Sequence, residues 1–278
     1  MLKVITDTTC NLAPELIEAH HIPTAPIGIQ FGEESYDEFV NIDRDSFYRR
    51  IEETGRIPTT SQPSPAWFAE QYRQAAQAHS PVLVITVTAK HSGTHDSATL
   101  ARSLVPEADV EVFDSAAVSL GTGWMVLEAV KMAAQGASRS TVVQRLSKFR
   151  KESFLFLTPA TLKYLQMSGR VGKLQGAIGS LLNVKPIIAL KDGMLEATET
   201  VRTRGKSLER LVALAEAAVG KALIRMGVVH ARAPEDGRKL LDMVISRLNC
   251  EAIMMEDLVP SPAVHGGPGV VGLAFHKV

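Results

Sequence analysis

The sequence has little cysteine and few aromatic residues, and neither sign of charge predominates. Its two cysteines, Cys10 and Cys250, lie far apart and form no C-x-x-C pair. A disulfide framework or a zinc ribbon is therefore not predicted. The 30 Lys and Arg residues balance 30 Asp and Glu residues. Because the chain lacks a net positive field, which would attract nucleic acid whatever its sequence, we expect no nucleic-acid partner.

Long apolar runs and metal-binding patterns are also missing. No apolar run reaches the roughly 18 residues of a membrane span, and the opening "MLKVITDTT" lacks the apolar stretch of a signal peptide. These absences predict a cytoplasmic protein. His91 and His95 are four residues apart, but the "SGT" between them lacks the glutamate of a zinc-protease helix. We therefore predict no metal site.

Strand-like and helix-like segments alternate along the 278 residues, which is typical of an α/β protein. The pattern predicts two domains, residues 1–152 and 153–278. Runs such as "PVLVITV" predict a mostly parallel sheet with flanking helices in the first domain, with "GEESY" as a turn and "RIPTTSQPSP" as a polar loop. In the second domain, "KDG" between two strand-like runs predicts a hairpin, and hence a mixed or antiparallel sheet covered by helices.

Two glycine patterns resemble phosphate-binding loops but lack the required context. "HGGPGVVG" contains G-x-G-x-x-G, yet too few residues follow it for the helix and acidic residue of a dinucleotide site. "SGRVGKLQG" has Leu174 where a Walker loop needs Ser or Thr. The chain is therefore predicted to have no nucleotide site and no cofactor.

Hydroxyl-rich loops follow or precede several predicted strands and helices: "TDTTCN", "PTTSQPSP", "TAKHSGTH" and "FDSAAVSLGTG". Ligands of open α/β sheets bind beyond the carboxyl ends of the strands. Ser92 and Gly93 at a helix start would suit a carboxylate or phosphate, although such residues also serve as simple caps and turns. An alternative is a serine-dependent hydrolase or acyl transferase that uses Ser92 with His91, His95 or His265, although G-x-S-x-G is absent.

The same stretches, over essentially the whole chain, resemble the DegV family of bacterial fatty-acid-binding proteins. "ITDTTCNL", "PTTSQPSP", "ITVTAKHSGTHDSA", "VFDSAAVSLGTGWMVLEA", the segment beginning "LKYLQMSGRVGKLQGAIGS" and "HGGPGVVGLAF" match six ordered motifs of that family. The resemblance implies a two-domain α/β fold that binds one long-chain fatty acid between the domains. It also implies a non-enzymatic role: a separate fatty acid kinase would phosphorylate the acid, with transient contact to a membrane surface.

The resemblance also implies which residues bind the acid. The hydroxyl groups of Thr60 and Ser92 and the amide of Gly93 would bind the carboxylate, and Arg170 and His265 would lie near the head group or act with the kinase. The stretch "SGRVGKLQGAIGS" is left open between a glycine-spaced helix that packs on a neighbour and a basic surface, with Arg170, Lys173, Arg202 and Arg204, that meets the kinase. For Arg202 and Arg204 a solvated face is a further alternative. Departures from the motifs, which bear on loop shape and partner recognition, are Ser168, Thr8, Cys10 and Asn11.

Overall fold

The computed structural model describes residues 1–170 and 184–278, which divide into two compact units. Unit 1 comprises Met1–Lys151 and the short segment Val259–Ser261, and unit 2 comprises Glu152–Leu258 and Pro262–Val278. A three-residue piece from near the end of the chain is therefore part of the N-terminal unit. No helix in the described part of the chain is long and apolar enough to cross a membrane.

Unit 1 contains a four-stranded parallel sheet and a three-stranded antiparallel sheet. Its strands are Lys3–Asp7 (β1), Thr24–Ala25 (β2), Gly28–Phe31 (β3), Glu34–Asp37 (β4), Thr59–Ser61 (β5), Val82–Thr86 (β6) and Val110–Asp114 (β7). The parallel sheet has the order β2-β1-β6-β7, and the antiparallel sheet has the order β4-β3-β5. The buried β-branched residues of β1 and β6 explain the central position of these strands.

Unit 1 also contains helices. They are Pro14–Ala19 (α1), Arg44–Thr54 (α2), Pro65–Gln77 (α3), Thr94–Leu104 (α4), Leu120–Ala134 (α5) and Arg139–Glu152 (α6). Gly55 ends α2 with φ 62°, and Ser64 caps α3 ahead of Pro65. Phe68 and Tyr72 of α3 pack with Ile5 and Val84 in one fully buried cluster, which joins the helices to the sheet.

Two sequence predictions in unit 1 are wrong in detail. The turn predicted over "GEESY" is confined to its start, where Gly32 has φ 63°, and the strand β4 begins already at Glu34. The loop predicted over "RIPTTSQPSP" contains β5, in which Thr60 pairs with Ile29. Thr59 and Thr60 are β-branched, so pairing with a free strand edge outweighs the loop tendency of the neighbouring prolines.

Unit 2 is built on one six-stranded mixed sheet. Its strands are Ser153–Thr158 (β8), Lys185–Lys191 (β9), Met194–Val201 (β10), Ile224–His230 (β11), Cys250–Asp257 (β12) and Val271–Lys277 (β13), in the order β10-β9-β8-β13-β11-β12. Only the pair β11 and β12 is parallel among these described strands. The predicted hairpin is confirmed: Asp192 and Gly193 have φ 49° and 79°, the two positive values that a tight β-turn of this kind requires.

The described helices of unit 2 are Lys163–Met167 (α7), Arg204–Val219 (α8), Pro234–Arg247 (α9) and Pro260–Gly266 (α10). The first residues of α10 belong to unit 1 by their contacts. Leu211 of α8 and Leu240 of α9 are fully buried against Met226, Leu273 and Phe275 of the sheet. The two-domain α/β fold class predicted from the sequence is therefore confirmed.

Candidate functional site

The loops that leave the carboxyl ends of β1, β6 and β7 are hydrogen-bonded to one another. Asp7, at the end of β1, is buried and accepts hydrogen bonds from the Val87 amide (2.9 Å) and from the amide and hydroxyl of Thr9. Burial raises the pKa of Asp7, and the hydrogen bonds from Thr9 and Val87 act in the opposite direction. Asp7 therefore fixes the start of the loop that carries Ser92.

The loop after β7 holds the same segment from its other side. The Thr88 amide donates to the Ala117 carbonyl at 2.9 Å, and Asp114 accepts from the amides of Ala89 (3.1 Å) and Ala116 (2.8 Å). The polar side chains that the sequence places at neighbouring strand ends thus do meet at one edge of the sheet, as expected for parallel strands.

Ser92 and Gly93 lie where this loop enters α4. The Ser92 hydroxyl lies 2.8 Å from the Thr94 hydroxyl and accepts a hydrogen bond from the Thr94 amide at 3.3 Å. Gly93 is the residue before the first turn of α4. A hydroxyl and helix N-terminal amides at one place form an arrangement that can bind an anion without a formal positive charge.

The segment that contains Thr60 lies against this helix start. A Cβ atom added to Gly93 would lie 2.6 Å from Cδ of Gln62, so the backbone at Gly93 and the Gln62 side chain are in direct contact. Thr60, two residues earlier, is half-buried on β5. The structure therefore brings the loop of Thr60 and the loop of Ser92 together within unit 1, and the lack of a Cβ at Gly93 leaves room for the terminal amide of Gln62.

Glu38 forms a second buried polar cluster in unit 1. Its carboxylate accepts hydrogen bonds from the Ser261 amide (2.7 Å), the Ser261 hydroxyl (2.8 Å) and the Thr8 hydroxyl. Burial raises the pKa of Glu38 to about 7; the bonds from Thr8 and Ser261 oppose this, and the charge of Asp7 adds to it. In the same region the Asn11 side chain accepts a hydrogen bond from the Val259 amide at 2.7 Å. Glu38 and Asn11 therefore bind the segment Val259–Ser261 to unit 1.

Cys10, a departure from the family motif, has no chemistry of its own here. Its side chain is buried, and burial raises the pKa of the thiol to about 12. A thiol with so high a pKa is neutral and unreactive at physiological pH. Thr8 and Asn11, two further departures, instead take part in the cluster around Glu38 and Val259.

The glycines of "HGGPGVVG" in unit 2 permit close packing. Gly267 has φ 75°, and a Cβ there would overlap the Tyr164 ring, lying 2.5 Å from its Cγ atom. Gly269 has φ 83° and faces Ala160, and Gly272 on β13 faces Leu157 of β8. Together these contacts hold the loop after α10 against the segment of residues 160–164. The glycines thus serve backbone packing.

His265 and Arg170 lie on the two segments joined by this packing. His265 is half-buried in α10, two residues before Gly267. Arg170 follows α7; its amide donates to the Leu165 carbonyl at 3.1 Å and its guanidinium to the Ser168 carbonyl at 2.7 Å. Gly169 before it has φ 70°. Arg170 and His265 therefore belong to contacting segments of unit 2, and Lys173 lies outside the described residues.

Arg204 is not a solvated surface residue. Its guanidinium donates to the Asp236 carboxylate at 2.8 Å and to the carbonyls of Thr158 (3.2 Å) and Gly269 (2.6 Å). The side chain keeps 23% of its exposure. The solvated-face alternative left open for this arginine is therefore wrong.

Sequence reasoning did not single out Gln62 or Glu38, and it named Arg204 without identifying its partners. Gln62 is within a matched motif, so its position next to Thr60 was available as a signal. The sequence offers no indication of the partners of Glu38 and Arg204, because those partners, Ser261 and Gly269, lie 223 and 65 residues further along the chain. Among residues 1–170 and 184–278, no group of three or more His, Cys, Asp or Glu side chains could hold a metal ion.

Comparisons with known proteins identify the family that has this architecture. A family model described as "Uncharacterised protein, DegV family" matches residues 1–278. A DegV domain-containing protein of Halalkalibacterium halodurans is 31% identical over 277 residues, covering 99% of this chain and 98% of the relative.

Solved structures agree over the full length. A DegV family protein from Thermus thermophilus, described for its fatty acid binding, is 32% identical with a TM-score of 0.94, covering 100% of this chain and 99% of that one. A stearic acid-binding protein from Eubacterium ventriosum is 29% identical with a TM-score of 0.92, covering 100% and 98%. The chain belongs to the DegV family.

Proposed function

We propose that this protein binds one long-chain fatty acid, with the carboxylate on the Thr60 and Ser92 hydroxyls and the Gly93 amide. The observation that carries the proposal is the full-length similarity to structures described as fatty-acid-binding. The contact between Gly93 and Gln62 supports the head-group assignment, because it brings a hydroxyl-bearing strand next to a helix start.

The chemistry of these groups suits a carboxylate. An ionised carboxylate removed from water must be hydrogen-bonded, because an unpaired buried charge is costly. Hydroxyl groups and a helix N-terminal amide supply those bonds, and the helix dipole favours the negative charge. The acyl chain supplies the binding energy, about 0.8 kcal/mol for each buried methylene, reduced by the cost of immobilising a flexible chain.

We further propose that the protein is a carrier and that a separate fatty acid kinase forms the acyl phosphate. Support comes from the sequence: both glycine patterns lack the features of a phosphate-binding loop. Arg170 and His265, on contacting segments of unit 2, are the residues we assign to head-group charge balance or phosphoryl transfer. A transient membrane contact would supply the acid, and a cytoplasmic location remains the prediction made from the sequence.

Analysis of the lipid that accompanies the purified protein tests the binding proposal. We expect an organic extract of protein produced in bacteria to contain long-chain fatty acid in about equimolar amount by mass spectrometry. We also expect the stripped protein to bind stearic acid again. No acid in the extract together with no binding by the stripped protein would contradict the proposal.

The alternative, a serine hydrolase or acyl transferase, predicts a different result. The Ser92 hydroxyl would react with a fluorophosphonate probe, and Ser92→Ala would abolish labelling. This alternative needs His91, His95 or His265 as the base, whereas the group 2.8 Å from the Ser92 hydroxyl is the Thr94 hydroxyl, which is not a base at neutral pH. We therefore expect no labelling at Ser92.

A further inference from the structure

Arg204 connects four segments of unit 2 through one side chain. It lies at the start of α8, and its Nε donates to Asp236 in the first turn of α9 at 2.8 Å. Nη1 donates to the carbonyl of Thr158, the last residue of β8, at 3.2 Å. Nη2 donates to the Gly269 carbonyl at 2.6 Å. Three nitrogen atoms of one guanidinium therefore point to three different partners.

The contact with Gly269 fixes the loop that follows His265. We call residues 265–270 the histidine segment. The Gly269 amide donates to the Ala231 carbonyl at 2.7 Å, and the Ala231 amide donates to the Val270 carbonyl at 2.9 Å. With the Gly269 carbonyl bound to Arg204, the peptide groups on both sides of this residue are held. Gly269 has φ 83°, a value outside helices and strands. The direction of its carbonyl therefore depends on the bonds to Arg204 and Ala231 and not on regular secondary structure.

The charge of Arg204 is balanced within this arrangement. Asp236 supplies one carboxylate at 2.8 Å, and the remaining bonds go to neutral carbonyl oxygens. Both side chains keep only about a quarter of their exposure, 23% and 27%. With all of these bonds made, Arg204 holds the histidine segment in position and offers no free positive charge to a ligand.

We propose that Arg204 is a positioning residue of the fatty-acid site: by holding the Gly269 carbonyl it sets the position of the histidine segment, and through it the imidazole of His265. This inference rests on the proposed function, in which His265 serves the carboxylate or acyl phosphate. Lysine cannot replace it, because a single ammonium group lacks the rigid fork that reaches a carboxylate and two carbonyls at once.

The test compares Arg204→Lys with Arg210→Lys. Arg210 is on the same helix and also binds a carboxylate, that of Glu199 at 2.8 and 2.9 Å, which lies on β10 and not in the histidine segment. Three measurements are made on each variant: the urea unfolding midpoint, the affinity of stripped protein for stearic acid labelled with carbon-13 at its carboxyl, and the NMR signals of the His265 imidazole. His265→Gln assigns those signals among the eight histidines of the chain.

We expect Arg204→Lys to shift the His265 signals and to weaken stearic acid binding roughly tenfold, the loss typical of one displaced hydrogen bond to a charged group. Arg210→Lys should change neither, at a similar unfolding midpoint. Unchanged His265 signals in Arg204→Lys would overturn the inference. Failure of Arg204→Lys to fold, with Arg210→Lys folded, would also overturn it, since Arg204 would then serve the fold as a whole.

The same experiment separates this inference from the proposed function. If the unaltered protein binds no stearic acid, the proposed function fails. The His265 signals of the ligand-free variants would still decide whether Arg204 positions the imidazole: a shift in Arg204→Lys alone supports it, and no shift contradicts it.

Discussion

The carboxylate of Glu38 accepts hydrogen bonds from both the amide and the hydroxyl of Ser261, at 2.7 and 2.8 Å, across 223 residues of sequence. Glu38 is 1% exposed and Ser261 is 2% exposed. A buried carboxylate whose hydrogen-bond donors are neutral is costly to ionise, and burial raises the pKa of Glu38 to about 7. The attachment of Val259–Ser261 to unit 1 therefore depends on a group that titrates near neutral pH.

This pKa has a consequence for stability. In the unfolded chain Glu38 has the ordinary pKa of 4.5, and in the folded protein about 7. Between these values the folded state holds a proton that the unfolded state has lost. The free energy of unfolding is therefore highest below pH 4.5 as far as this group is concerned, and it falls as the pH rises through 7, by on the order of 3 kcal/mol.

We predict that Glu38→Gln removes this part of the pH dependence. A glutamine side chain is uncharged at every pH, and its oxygen can still accept a hydrogen bond from the Ser261 amide. The variant should match the unaltered protein at pH 4.5 and be more stable at pH 8, as measured by urea unfolding midpoints. Glu52→Gln, the same change at an exposed position of α2, should leave the profile as in the unaltered protein. A Glu38→Gln variant less stable at pH 8 would refute the assignment.

A second prediction concerns the Ser92 hydroxyl. It accepts the Thr94 amide at 3.3 Å, much as Ser64 accepts the Ala66 amide at 3.1 Å at the start of α3. Replacing either serine by alanine removes a local bond at a helix start and should cost about 1 kcal/mol of stability. Only Ser92→Ala should also weaken fatty-acid binding, roughly tenfold.

Titration of stripped protein with stearic acid, beside thermal unfolding, distinguishes these effects. Equal loss of affinity in Ser64→Ala and Ser92→Ala would mean that Ser92 acts through stability alone. Equal affinity in Ser92→Ala and the unaltered protein would remove Ser92 from the head-group assignment.

Local and motif features of the fold follow from the sequence. The β-branched run of β6 predicts a central parallel strand, and Asp192-Gly193 predicts a hairpin, because both depend on residues close in sequence. The loops of Thr60 and Ser92 were expected together from the family resemblance, and their contact at Gly93 is observed.

Features set by distant partners could not be predicted. Thr59–Ser61 is a strand only because the edge of β3 is available to it. Arg204 and Glu38 are charged residues whose spacing resembles any solvated position, and their roles depend on Gly269 and Ser261. Pairs of residues that are far apart in the chain cannot be identified from one sequence.

A third prediction uses the contact at Gly93. A Cβ at this position would overlap the terminal amide of the exposed Gln62 side chain, so Gly93→Ala should push that amide away from the helix start and weaken acid binding. Because the end of a flexible side chain can move aside, the loss of stability should stay below about 1 kcal/mol, the lower end of the range for overpacking. The double variant Gly93→Ala/Gln62→Ala should lose no more stability, because the opposing atoms are gone.

Gly205→Ala is the matched control for Gly93→Ala. Gly205 is helical in α8, and an added Cβ would meet nothing within 4 Å. It should raise the free energy of unfolding by about 0.4–1 kcal/mol and leave affinity unchanged. Full acid affinity in Gly93→Ala would show that the approach of the two loops is irrelevant to binding.

The last prediction separates two costs of adding a side chain at Gly267 of unit 2, with Gly136 of unit 1 as the reference. Gly267 (φ 75°) and Gly136 (φ 82°) share a left-handed backbone, so alanine at either pays roughly 1–2 kcal/mol for that conformation. Only at Gly267 does the added Cβ also meet an obstacle, the Tyr164 ring; at Gly136 nothing lies within 4 Å. Gly267→Ala should therefore lower the free energy of unfolding by at least about 1 kcal/mol more than Gly136→Ala.

If the excess comes from the ring, Tyr164→Ala must reduce it, so the effect of Gly267→Ala in a Tyr164→Ala background should approach that of Gly136→Ala. Chemical denaturation of the four variants measures this coupling directly. Equal losses at Gly267 and Gly136 would mean that the ring yields without cost, and the histidine segment would then be held mainly by Arg204 and Ala231.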